Sequence, residues 1–433
     1  MKKLLSTLFL LNTVLFSLFA QFDDDLFFTD DTIEEVSSVK AVSDLQQGIL
    51  FENGSVKIGG SLSSSLTTQT LLLSKNESSF SEKLSNTTLT PELSSLISID
   101  ARPTQDLRIY TKFALSYPFT TPVLSVKECF TDFSIADQAF FRFGLHTVSW
   151  GTGFFYSPVS DIINTSSIDP ENTDKQVNGS LNLRAQITFK DSLNTLWLYA
   201  VPPLPENPIL PATANKTALA AKYEFVLGGW EFGTGAYYKF ESSPKGMITA
   251  SGSLKKMSFF AEAVYQYGAQ KEWEESTKWS DKSNIFYATA GFSYFWKEPS
   301  ITLAAQYYYD GNSIDNTEIP TGNTPPTIIL PNQTKGHNVA AMANFGKIGN
   351  AQDLSISLFS MLNFGKDDPN AASQMFFDTM GVALPKAIFS ANLNYNVNST
   401  LSFSAGPYVS VTSWSEKPDV SLKLTAKLGG GKY

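Results

Sequence analysis

From Val56 onward the chain repeats with a period of two, and that alternation limits what it can fold into more than any other feature. Val56, Ile58, Gly60, Leu62 and Leu66 alternate with Lys57, Gly59, Ser61 and Ser63. Leu107, Ile109, Phe113, Leu115 and Tyr117 alternate with Arg108, Tyr110, Lys112 and Ser116, and Leu181, Leu183, Ala185, Ile187 and Phe189 with Asn182, Arg184, Gln186 and Lys190. Successive side chains on a strand point to opposite faces, so each run predicts a strand with one apolar and one polar face. The pattern recurs from Leu219 to Leu227, Trp230 to Tyr238, Phe259 to Tyr267, Phe286 to Trp296 and in later runs as far as Val420 to Leu428. The runs are about ten residues long, the length a tilted strand needs to cross a bilayer. Strands of a soluble β sandwich average roughly five or six.

The links sort into two lengths. Short turns fall at Pro103 to Gln105, Gly228-Gly229 and Lys255-Lys256, among others. Between them come longer links such as Thr68 to Leu93, Pro118 to Leu124, Gly151 to Val177 and Gly311 to Lys335. Membrane barrels show this asymmetry, with short periplasmic turns and long external loops. Threading the chain up and down predicts an all-β, closed antiparallel transmembrane barrel of about 18 strands with both termini on the short-turn side. The weakest strands are Ser94 to Arg102 and Ser125 to Ala136; losing a hairpin there gives about 16.

The N-terminus supplies the compartment. Lys2 and Lys3 precede an apolar run from Leu4 to Phe19 that ends at Ala20, which reads as a signal peptide over 1–20. The net charge of −9 becomes −11 without those two lysines, and the segment 21–53 holds nine acids against Lys40 alone. It therefore reads as an acidic periplasmic extension, with the barrel over 54–433. Charged residues are 17%, below the roughly 25% of a soluble protein. No later stretch has the roughly 18 apolar residues of a membrane helix. The expected location is the outer membrane of a diderm bacterium. The expected partners are outer-membrane lipid, the barrel-assembly machinery and small solutes; an oligomer is compatible, and no nucleic acid is expected. Cys129 is the only cysteine, which excludes an internal disulfide. Asp23, Asp24 and Asp25 lack the glycine turn of a calcium loop, so no metal and no cofactor are expected.

The chain has four arginines: Arg102, Arg108, Arg142 and Arg184. The alternation puts all four on the polar face of neighbouring strands, joined by Lys112 and interleaved with Asp100, Glu128 and Asp132. In a barrel that face is the lumen, and walls of charge are how pores select solutes and ions. The same residues also suit plain cross-strand pairing that braces the wall, and the sequence leaves both readings open. The link after Ala139 to Leu145 carries Asp161, Asp169, Glu171 and Asp174.

The run Arg142, Gly144, Val148, Trp150, Gly151, Gly153, Pro158, Asp161, Asn164 resembles an element of bacterial outer-membrane barrel and porin-like proteins, R-x-G-x-x-x-V-x-W-G-x-G followed by P-x-x-D-x-x-N. In porins of that size the third external loop folds into the lumen. The resemblance implies that Thr152 to Asp174 is a constriction loop, with Trp150, Gly151, Gly153, Phe154, Phe155, Asp161, Asp169 and Asp174 as its candidate site residues. It also implies a passive, water-filled channel for small hydrophilic solutes. Two alternatives stand beside it: a transporter of hydrophobic molecules in which Phe154, Phe155 and Tyr156 line the passage, and a closed structural or adhesin barrel. Barrels of this kind commonly end on an outward aromatic; Tyr433 is aromatic, but Gly429, Gly430 and Gly431 break the parity before it. An enzyme is not expected, because His146 and His337, the only histidines, lie on separate strands with no nucleophile spaced to serve them.

Overall fold

The computed structural model describes residues 49–53, 55–73, 85, 87–119, 123–136, 138–163, 179–190, 192–203, 214–268, 284–297, 300–313, 336–348, 353–364, 386–398, 400–412 and 417–432. The predicted signal peptide, the acidic extension up to Gly48, Asp169, Glu171, Asp174 and Tyr433 lie outside the described residues.

The alternating runs form strands. In chain order they are β1 (Ile49–Asn53), β2 (Val56–Leu73), β3 (Thr88–Thr104), β4 (Leu107–Tyr117), β5 (Leu124–Ile135), β6 (Ala139–His146) and β7 (Ser180–Thr188). Then come β8 (Thr195–Val201), β9 (Ala218–Leu227), β10 (Trp230–Tyr238), β11 (Lys245–Leu254), β12 (Met257–Tyr267) and β13 (Asn284–Trp296). The last six are β14 (Ile301–Asp310), β15 (His337–Ile348), β16 (Leu354–Phe364), β17 (Ala387–Asn396), β18 (Leu401–Val411) and β19 (Asp419–Lys432).

From β2 to β19 each strand pairs antiparallel with the next, and β19 pairs with β2, so 18 strands close into a barrel. Closure satisfies every edge, which a sheet in hydrocarbon requires. On the inner face of the seam, Thr67 and Thr425 share a hydroxyl hydrogen bond of 3.0 Å, and Gln69 Nε2 donates to Ser421 Oγ at 3.0 Å. The count agrees with the larger of the two expected numbers, and the two weakest predicted strands are both present as β3 and β5.

One boundary moves. The link expected over Thr68 to Leu93 is largely strand, because β2 runs to Leu73 and β3 starts at Thr88. The added strand residues read Thr68-Gln69-Thr70-Leu71-Leu72-Leu73 and Thr88-Leu89-Thr90-Pro91-Glu92-Leu93, where three consecutive leucines and Pro91 break the alternation, although Thr favours strands. Below the seam, β1 pairs with β2 from Val56 to Gly59. Five residues read from sequence as the end of the extension are thus strand.

The burial pattern is inverted relative to a soluble protein. Leu62, Leu66, Ile109, Phe143, Leu198, Ile248, Phe286 and Leu424 are exposed on the outer face. On the inner face Asn182, Lys222, Thr249, Glu262, Thr289, Gln306 and Asn338 are buried. Apolar outside and polar inside is the arrangement that hydrocarbon around a barrel demands. Among the described residues no helix is long and apolar enough to cross a membrane.

Candidate pore site

The strand β6 ends at His146, and residues 147–163 turn inward and lie along the inner wall. Two internal bonds fold this segment on itself: Trp150 Nε1 donates to the Val159 carbonyl at 2.7 Å, and the Gly151 N–H to Ser160 Oγ at 3.0 Å. A single 3₁₀ turn, Ser160–Ile162, carries Asp161.

Two wall side chains hold the segment. The Glu262 carboxylate on β12 accepts the N–H groups of Thr152, Gly153 (2.5 Å) and Val159 (3.0 Å) and the Ser157 hydroxyl (3.0 Å). Gln306 on β14 accepts at Oε1 from the N–H groups of Phe154, Phe155 and Tyr156, and donates through Nε2 to the Tyr156 carbonyl and Thr289 Oγ1. On β9, Lys222 Nζ donates to the Trp150 carbonyl and pairs with Glu224 at 2.6 Å; Trp197 Nε1 also donates to Glu224. A buried carboxylate is tolerated only when hydrogen bonds replace its water, and Glu262 finds those bonds almost entirely in this segment's backbone.

Apolar packing adds to the polar anchors. Trp150 meets Tyr199 edge-on at 4.8 Å between centroids, and Tyr156 stacks on Tyr308 at 5.0 Å. Val148, Trp150, Val159 and Ile163 share one cluster with Tyr199, Ala220, Met247, Val264, Ile285, Tyr287 and Tyr308. Phe155 packs separately against Ala304, Ala340, Met342 and Phe359. The segment therefore leans on the wall from β8 to β16. Its two glycines are needed for the close approach: a methyl group on Gly153 would strike the Tyr156 carbonyl, and one on Gly151 the Ser157 hydroxyl and the Glu262 carboxylate.

Phe154, Phe155 and Tyr156 do not act alike. Phe155 is 1% exposed and Tyr156 is stacked, while Phe154 keeps 39% of its surface open. Asp161 is exposed to the lumen although wall atoms surround it. Burial, then the neighbouring Glu262 and Asp310 charges, raise its pKa above the ordinary carboxylate value, and Lys245 opposes them. Lumen water on its open side moderates the effect of burial. Protonation of Asp161 thus favours the folded arrangement.

The four arginines lie on β3, β4, β6 and β7, on the inner face. Arg108 forms a two-pronged bond to Asp100 at 3.1 and 2.9 Å, and Arg142 one to Asp132 at 2.6 and 2.9 Å. Arg102 lies 3.5 Å from Asp100, and Arg108 also reaches Asp132 at 3.7 Å. Lys112 stands opposite Glu128 in register. The bracing reading therefore describes three of the arginines. Side-chain exposures of 43%, 26% and 20% for Arg102, Arg108 and Arg142 keep these guanidiniums in contact with the lumen as well. Arg184 faces Arg142 directly across the β6–β7 ladder.

Lys222, Glu224, Glu262, Gln306 and Thr289, which hold or support the segment, were not legible as a group in the sequence. Each is a polar residue at an inward position, like any residue facing water in a lumen. His146 points inward, 1% exposed, with Nδ1 3.3 Å from the Gly144 carbonyl; His337 is on the outer face near the Tyr307 hydroxyl, at 2.7 Å. Cys129 is free and exposed on the outer face. Among the described residues no group of His, Cys, Asp and Glu is placed to hold a metal ion.

No protein-family model matches the chain, and no curated protein matches it in sequence. Among solved structures, it is similar to a variant of the Rhodopseudomonas blastica porin, with 8% identity, 86% of this chain and 99% of that chain covered, and a TM-score of 0.44. It is also similar to Pseudomonas aeruginosa OccK11 (OpdR), with 10% identity, 86% and 96% coverage, and a TM-score of 0.44. The closed antiparallel barrel of 18 strands rests on its own strand register.

Proposed function

We propose that the protein is an outer-membrane porin whose passage for small hydrophilic solutes runs between the inward segment 147–163 and the arginine-bearing wall of β3 to β7. One observation carries the reading: the segment is bonded through Glu262 and Gln306 to β12 and β14, while the paired arginines on β3, β4 and β6 keep contact with the lumen. A charged wall across from a fixed segment is a means of filtering by size and charge. Burial of Phe155 and stacking of Tyr156 spend two of three aromatics on packing, which counts against a passage built for apolar solutes.

Planar-bilayer recording of the refolded protein tests the proposal. Ohmic, salt-dependent openings are expected. The apolar cluster inside the wall also fits a closed structural barrel, and a persistently silent bilayer would overturn the porin reading. Replacing Arg108, Arg142 and Arg184 together by glutamine is expected to move the zero-current potential in a salt gradient toward cation preference. An unmoved potential would reduce these residues to struts.

Asp161 makes conductance depend on pH. Because the folded arrangement raises its pKa, the stabilisation is present when the group is protonated and is lost as pH rises through the shifted value. Conductance is expected to fall on acidification from neutral pH as the segment seats more firmly, and Asp161→Asn is expected to flatten that profile. The same slope in the variant would assign the effect to another group.

A further inference from the structure

We propose that Arg184, together with Arg142 opposite it, forms a binding site for a small oxyanion, a carboxylate or a phosphate, in the lumen wall. The inference deepens the porin reading and rests on it for a water-filled lumen, although it does not require that the pore conduct.

Charge bookkeeping on this wall points to the site. Asp100 serves both Arg102 and Arg108, and Asp132 serves both Arg108 and Arg142. Two carboxylates thus cover three guanidiniums, and the fourth is left over. Among the described residues Arg184 makes no ion pair, and its Nε is buried without a hydrogen-bond partner. It nevertheless stands directly opposite Arg142 in the ladder. Like charges facing each other across a strand pair repel, and an unmatched buried donor costs free energy as well. An anion between the two guanidiniums removes both penalties.

The surroundings suit a flat oxyanion. Arg142 commits Nε and Nη2 to Asp132, which leaves Nη1 outside that pair of bonds. Arg184 lies over the Trp197 ring at 5.4 Å and Arg142 over the Phe130 ring at 3.8 Å, so apolar faces back both cations. Trp197 gives its Nε1–H to Glu224, so the two guanidiniums and not the indole supply the donors for the anion. Tyr199, in register with Arg184, carries the ring that Trp150 packs against. The site is therefore next to the anchored segment. A guanidinium fork matches the two oxygens of a carboxylate or phosphate, and reduced contact with water strengthens the bond.

The test uses Trp197 as the reporter, by subtracting the emission of a Trp197→Phe variant from that of the refolded full chain in detergent. Iodide is expected to quench Trp197 with a slope roughly twofold or more above that of neutral acrylamide, because a positive site raises the local anion concentration. Phosphate or acetate, exchanged for chloride at constant ionic strength, is expected to compete the excess away. The excess is expected to vanish in Arg184→Gln and to persist in reduced form in Arg184→Lys. Equal quenching by iodide and acrylamide in the native chain would overturn the proposal, as would an unchanged excess in Arg184→Gln. If the excess arises only after Asp169, Glu171 and Asp174 are replaced by their amides, the chain's own loop fills the position and the proposal also fails. Quenching needs no current, so a silent bilayer with a positive iodide result rejects the porin and keeps the site.

Discussion

Glu262→Ala is expected to release residues 147–163 from the wall and to raise single-channel conductance several-fold. The substitution removes the acceptor for three backbone N–H groups and one hydroxyl at once. Each buried donor left unmatched costs about 1–3 kcal/mol, and the segment escapes that cost by leaving the wall for water. The barrel itself is expected to persist, because β12 keeps its full ladders to β11 and β13. Glu262→Gln is the graded control: one oxygen still accepts, but the amide nitrogen meets an N–H and offers nothing to it. An intermediate conductance is expected there. Wild-type conductance in Glu262→Ala would mean that this segment does not limit the passage.

The second large effect is on stability and separates the two faces by a single residue. Leu424, near the middle of β19, is 45% exposed on the outer face. Leu424→Arg is expected to destabilise the folded barrel by about 2–4 kcal/mol, the cost of placing a cation in the hydrocarbon near mid-membrane. Thr425→Arg, one position along and facing the lumen, is expected to cost much less. Urea titration of folding into lipid vesicles reads both. Equal costs would show that the outer face is not surrounded by lipid.

The closed barrel was legible because the side-chain period of a strand depends only on the backbone. Leu181 and Leu183 had to face one way, and Asn182 and Arg184 the other. The same parity set the four arginines on one wall, although it could not say that Asp100 and Asp132 would each hold two of them. The strand ends at Thr68 to Leu73 and Thr88 to Leu93 hid themselves, since three consecutive leucines in one and Pro91 in the other break the alternation. The anchoring of the segment was hidden for a different reason. Gln306 is 152 residues from Phe154, and Glu262 is 109 from Gly153. In sequence each is one polar residue on an inward face, and only the closure of the ring brings it opposite this segment. The motif from Trp150 to Gly153 marked where the wall turns inward, while the partners that fix it there leave no local signature.

The short strand β1 acts as a doorstop. It takes the edge of β2 from Val56 to Gly59, and β19 ends on that same edge, with Lys432 opposite Ser61. A last strand arriving to zip the ring shut can slide toward the short-turn side only until it meets that backbone. In a closed sheet the stagger between first and last strands helps to set girth and tilt. Five residues outside the ring therefore limit how far that stagger can run.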